Sequence, residues 1–155
     1  MNIDPIVTKI RRCVRKHELG TGAYARYTRP NEGKGQTLAI NPYGCADAAN
    51  LLYTIGDFER DPQRRAESIA AMQKMQDHET GFFHESTHHP IHTTAHVLAA
   101  LELYDAGPLY PVYALEEYRE IEKMRAFLEG LDWEGEPWGQ SHRGAGLYAA
   151  LRLTG

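Results

Sequence analysis

Four of the chain's eight histidines stand between His88 and His96, in the run HHPIHTTAH. Imidazole is the side chain whose ordinary pKa lies nearest neutrality, and its free nitrogen serves equally as a base or a metal ligand. His92 and His96 are four residues apart, which sets both rings on one face of a helix and within reach of one ion. His88 from the preceding turn supplies a third nitrogen for a zinc ion, and His89 or Glu85 could take that place instead. The chain has no HExxH motif, so this is not the common zinc-protease pattern. A purely structural role competes with the metal: one histidine caps the helix or bonds the preceding loop, and His96 packs against a neighbouring helix.

A second set of residues points to proton transfer. His142 stands beside Arg143 in the run QSHRGAG. A histidine base with a nearby cation suits an elimination next to a sugar carboxylate, and His92, His142, Arg143 and Asp47 are the candidate catalytic residues. Glycoside hydrolysis requires two carboxylates astride the scissile oxygen. Asp47, Asp77, Glu79 and Glu85 are available, but no spacing singles out a pair. Trp133 and Trp138 flank the turn WEGEPW; with Tyr43 and Gln140 they are candidates for holding a substrate, since flat rings stack on sugar faces. Phe82 and Phe83 occupy the equivalent turn before HHPIHTTAH and suit a core plug.

Composition removes other classes. Seventeen Lys and Arg stand against 21 Asp and Glu, a formal charge of -4 that gives no reason to seek nucleic acid. The basic run KIRRCVRKH reads as the wet face of a helix. No apolar run approaches the roughly 20 residues of a membrane span, and no signal-peptide pattern opens the chain. Cys13 and Cys45 form no CxxC pair, and a reduced, cytoplasmic setting is expected. GKGQT lacks the full phosphate-loop pattern, and no GxSxG nucleophile elbow occurs. Apart from the zinc, no cofactor is expected.

The elements that must position these groups are helices in pairs. The first pair covers about 4–58, with a long irregular loop at 20–44 before the apolar helix CADAANLLYTIGDF. The second covers about 61–107, running from a helix capped by Asp61 through DHETGFFHESTHHP to IHTTAHVLAALEL. The third, about 111–154, places Leu115, Tyr118, Ile121, Met124 and Leu128 in one apolar stripe before returning as SHRGAGLYAALRL. The return helices resemble one another: aligning Ala49, Ala95 and Ala145 also aligns Leu51, Val97 and Leu147. Their small residues permit close approach, so they form an inner layer, and the charged helices form an outer one.

This order, the turn MQDHETGFF and the inner helix HTTAHVLAALEL resemble the alpha/alpha-toroid proteins, which include six-hairpin glycosidases, polysaccharide lyases and terpenoid-cyclase-like folds. The resemblance implies an all-α chain of about three consecutive hairpins forming part of a toroid, with its site at the starts of the inner helices. It also implies a carbohydrate-active enzyme, a hydrolase or lyase, whose ligand is an oligosaccharide or similar oxygen-rich molecule. A non-catalytic module that binds a glycan or protein is the alternative. Terpenoid cyclisation is disfavoured because no DxDD motif is present. Complete toroids use about six hairpins, so either a homodimer or the remainder of a longer chain is expected to continue the ring.

Overall fold

Proline opens four of the helices. The computed structural model describes residues 2–155 and is mostly helical: α1 (Asp4–His17), α2 (Pro42–Thr54), α3 (Pro62–Gln73), α4 (Pro90–Glu102), α5 (Ile121–Glu129) and α6 (Pro137–Leu153). A small antiparallel ribbon of β1 (Glu18–Gly20) and β2 (Ala23–Tyr24) follows α1. Pro42, Pro62, Pro90 and Pro137 sit at first helical positions, where the missing N–H has no intrahelical partner to lose and the fixed φ suits the helix. Asn41 Oδ1 accepts from Gly44 N at 3.0 Å and Asp61 Oδ1 from Arg64 N at 2.9 Å, capping α2 and α3. Among the described residues, no helix is long and apolar enough to cross a membrane.

The helices α2, α4 and α6 lie side by side and parallel, with α4 in the middle. Tyr43 meets His92 and Asp47 meets His96, so contacts advance in the same direction along α2 and α4. His88 faces His142, and the backbone of His92 faces Gly146, which orients α6 likewise. Paired residues of α2 and α4 are separated by 49 positions, about one helical turn from the register that aligning Ala49 with Ala95 suggests. Close approach depends on small residues. A Cβ on Gly146 would stand 2.9 Å from His92 Cα, and one on Gly44 2.9 Å from the Ala25 carbonyl.

Two apolar clusters hold α4 from opposite sides. Val14, Cys45, Ala46, Met72, Phe83, Val97 and Leu101 join it to α1, α2 and α3. Ile91, Leu98, Val112, Leu115, Leu147 and Ala150 join it to α6 and the segment after Pro111. Each fully buried large side chain contributes about 1.5–3 kcal/mol relative to exposure. A helix with apolar neighbours on both sides must itself be apolar nearly all round, as HTTAHVLAALE is.

The connections differ more from expectation than the inner helices do. Instead of one helix after Pro111, a 3-10 stretch (Tyr113–Arg119) precedes α5, and Glu120 between them is extended, with φ -80° and ψ 126°. Val112 and Leu115 are drawn into the core, and Ala114 N donates to Thr80 O at 3.0 Å. A straight helix could not satisfy both; Ile121 and Leu128 therefore leave the stripe and face solvent. The turn in MQDHETGFF is explained by its residues. Gln76 Nε2 donates to Gly81 O at 2.8 Å and Tyr110 O at 2.7 Å, and its Oε1 accepts from Tyr110 N at 2.9 Å. Gly81 has φ 76°, and a Cβ there would overlap the Pro111 carbonyl, so glycine is required.

Candidate functional site

The first turn of α4 and the second turn of α6 meet above Gly146, and the loop before Pro90 closes over them. His88, His92 and His142 each offer a ring nitrogen, and these nitrogens all lie within 4.8 Å of one another. His92 and His142 are stacked, with centroids 4.5 Å apart and planes 9° apart. His88 lies 5.3 Å from His92 by centroid. This spacing admits a metal ion between three imidazoles.

Behind His88 stands a buried ion pair. The Glu85 side chain has no exposure, and its Oε2 lies 2.9 Å from Arg26 Nη1. Its Oε1 is 2.7 Å from His88 Nδ1 and 3.0 Å from Thr87 N. Burial raises the Glu85 pKa, but the hydrogen bonds from His88 and Thr87 and the Arg26 charge outweigh it, and the carboxyl titrates below its usual range. The 2.7 Å approach of an ionised Glu85 favours a proton on His88 Nδ1 over the 3.1 Å approach of Arg26 Nη1 to the same nitrogen; in the neutral ring that tautomer leaves the Nε2 lone pair free.

Tyr43, from the first turn of α2, stacks on His88 at 4.4 Å and 17° and also lies over His96 at 4.3 Å. The Arg26 guanidinium sits 4.4 Å from the Tyr43 ring centroid. Burial and the Asp47 charge raise the pKa of the Tyr43 phenol, which stays protonated. Its hydroxyl is 3.4 Å from His92 Nδ1. When that nitrogen donates to the hydroxyl oxygen, the other ring nitrogen of His92 is free. Burial, assisted by His142, His88 and His96, pushes His92 down to about 4, so its imidazole is neutral at physiological pH.

The remaining histidines of HHPIHTTAH have other work. His89 Nδ1 accepts from Ile91 N at 3.2 Å, capping α4; burial and then Arg143 lower its pKa, favouring the unprotonated acceptor. His96 Nε2 lies 2.9 Å from Asp47 Oδ1. The three nitrogens that converge are therefore those of His88, His92 and His142, with His142 in the place that helical spacing gave to His96.

A cavity of about 410 Å³ opens beside His88 and His142, lined also by Glu136, Trp138, Gln140 and Arg143. Trp138 is edge-on to His142 at 4.7 Å and 77% exposed. Gln140 Nε2 donates to Glu136 Oε2 at 3.0 Å, and its Oε1 accepts from Arg143 Nη1 at 2.9 Å. Arg143 Nε is buried and meets no acceptor. Thus His92, His142, Arg143, Tyr43, Trp138 and Gln140 gather in one region, which Asp47 joins through His96 and Tyr43. Trp133 is exposed and does not line the cavity. Asp77 is committed to a turn, accepting from Thr80 N and Oγ1 at 2.7 Å each. Arg26 is the participant that sequence did not signal; it lies 62 residues from His88 in an irregular segment.

No family model, no curated protein and no solved structure matches the chain. Function must be sought in the chemistry of the site.

Proposed function

We propose that the protein is a zinc-dependent enzyme acting on a carbohydrate or a similarly oxygen-rich substrate. The observation that carries this is the convergence of His88, His92 and His142, with buried Glu85 orienting His88 from behind. A carboxylate on the far nitrogen of a ligating histidine fixes its tautomer and raises its basicity. Nitrogens about 2.0–2.1 Å from a tetrahedral zinc stand about 3.4 Å apart. The imidazoles must then close by at most about 1.4 Å, a side-chain rotation that breaks the stack of His92 on His142.

Three protein ligands leave the fourth position of a tetrahedral zinc to water or a substrate oxygen. A metal held by His88, His92 and His142 would supply Lewis-acid chemistry there, polarising a bound oxygen and lowering the pKa of a bound water to about 7. The exposed indole of Trp138 beside Glu136, Gln140 and Arg143 favours a sugar over a hydrocarbon. On the toroid reading, α2, α4 and α6 are part of a ring of inner helices. Leu51 on α2 and Tyr148 on α6, both exposed, mark the edges where a second copy or further helices would continue it.

The 9° stack favours a second reading, in which neutral His92 acts without metal as a base. Turnover of a panel of neutral and acidic oligosaccharides, measured before and after chelation and after zinc is restored, separates the two. The zinc reading expects chelation to abolish turnover, zinc to restore it, and His142→Ala to stay inactive with zinc present. Turnover that survives chelation would transfer the chemistry to His92. Binding with no turnover in either state would make the protein a glycan-binding module.

A further inference from the structure

We infer that the cavity beside His142 binds a carboxylated sugar, a uronate residue of an acidic oligosaccharide, with Arg143 holding the carboxylate and Trp138 lying against the ring. This deepens the zinc-enzyme reading and rests on it for turnover, but the binding step itself needs no metal.

Three arginines are partly shielded from solvent: Arg26, Arg65 and Arg143. Arg26 is paired with Glu85 and Arg65 with Asp105, whereas Arg143 reaches no carboxylate among the described residues. Its charge is nonetheless held in place. Glu136 accepts from Gln140 Nε2, which turns Gln140 Oε1 toward Arg143 Nη1. Phe127 lies 5.4 Å from the guanidinium carbon. This bracing occupies Nη1; Nε is buried with no acceptor, and Nη2 meets no acceptor among the described residues. A buried donor without a partner is unfavourable, and a planar guanidinium matches a carboxylate through two parallel N–H donors. A ligand carboxylate in the cavity would meet the side of the guanidinium that Gln140 leaves open.

The other walls say what carries that carboxylate. Trp138, largely exposed at the cavity mouth, offers an apolar ring face beside polar side chains. That combination suits a pyranose, which has C–H groups on its face and hydroxyls on its rim. Inorganic phosphate would answer to Arg143 but gains nothing from the indole. The cavity shares His88 and His142 with the proposed zinc centre, so a uronate on Arg143 would lie beside the histidines that would hold the metal.

The test uses the full chain stripped of metal, titrated with oligogalacturonate, with the same oligosaccharide after carboxyl reduction, and with inorganic phosphate, by calorimetry and tryptophan fluorescence. The expected result is that oligogalacturonate binds and perturbs the fluorescence, with carboxyl reduction weakening binding at least tenfold. Arg143→Gln should weaken it by a similar factor, and Arg143→Lys, which keeps the charge and loses the fork, by less. Zinc stoichiometry, measured separately, should be unchanged in both variants, so failure of the metal site and failure of the uronate site are distinguishable. Equal binding after carboxyl reduction, phosphate binding as tight as the acidic sugar, or no binding by the wild-type chain would overturn the inference.

Discussion

At the scale of residues, the side chains behind the histidines matter as much as the histidines. Glu85→Gln keeps the shape but leaves Arg26 as an uncompensated, mostly buried cation. Removing one partner of such a pair costs about 3 kcal/mol, and loss of the carboxylate behind His88 should weaken zinc binding about 10–100-fold. Urea unfolding and competitive zinc titration read the two effects; a variant unchanged in both would remove Glu85 from the account. His96→Ala breaks a pair whose Asp47 carboxylate is half exposed, and should cost below about 1 kcal/mol. The cysteines give an independent check on burial. Burial pushes Cys45 up to about 11 and Tyr24 up to about 12, whereas Cys13 is exposed. Both groups favour the folded state while protonated. Their contribution is complete below the ordinary values of 9.0 and 10.0 and is lost as pH rises toward 11 and 12. Stability should therefore fall above about pH 9, less steeply in Cys45→Ala, and a thiol reagent at pH 8 should modify Cys13 well before Cys45. Much of the clustering was legible: HHPIHTTAH and QSHRGAG hold the histidines and the arginine that the structure brings together. Helical spacing nominated His96 in place of His142 because periodicity describes one helix, and the third nitrogen comes from another.

At the scale of elements, the site exists because α4 and α6 approach closely at Gly146. A methyl group there would press on His92 Cα at 2.9 Å and His92 N at 3.1 Å, both backbone atoms that cannot rotate away. Gly146→Ala should cost about 1–3 kcal/mol as overpacking, and by separating His142 from His92 it should weaken zinc binding beyond the stability loss. Asn41→Ala, which removes the α2 cap beside Tyr43, should cost about 1 kcal/mol. Denaturant midpoints and zinc titrations of the two variants test whether packing or capping governs the metal site. The start of α3 was legible because Asp61 and Pro62 act locally, whereas α2 and α6 begin at Pro42 and Pro137, ahead of the expected runs CADAANLL and SHRGAGLY. The break at Glu120 was not legible, because it arises from Val112 and Leu115 being claimed by the core under α6. The irregular segment before α2 was legible as a loop, yet its delivery of Arg26 to Glu85 is a long-range contact that no local pattern encodes.

At the scale of the whole molecule, the predicted metal ligands come from α6, α4 and the loop before α4, so zinc should stabilise the assembled fold. Zinc at 100 times its dissociation constant adds about 2.7 kcal/mol by mass action, which for a chain of this size raises Tm by roughly 5–10 °C. The parallel placement of α2, α4 and α6 was legible in their shared small residues and apolar runs. Its register was not, because residues spaced one turn apart on such helices are nearly interchangeable until Gly44 and Gly146 choose which backbone sits beside them. Convergence of His88, His92 and His142 on one ion is checked by the zinc stoichiometry of the metal-stripped wild type, His142→Ala and His96→Ala, measured by competition with a chromophoric chelator. One zinc per chain is expected in the wild type and in His96→Ala, and loss of that zinc in His142→Ala. Zinc retained by His142→Ala and lost from His96→Ala, or no zinc bound by any of the three, would contradict it.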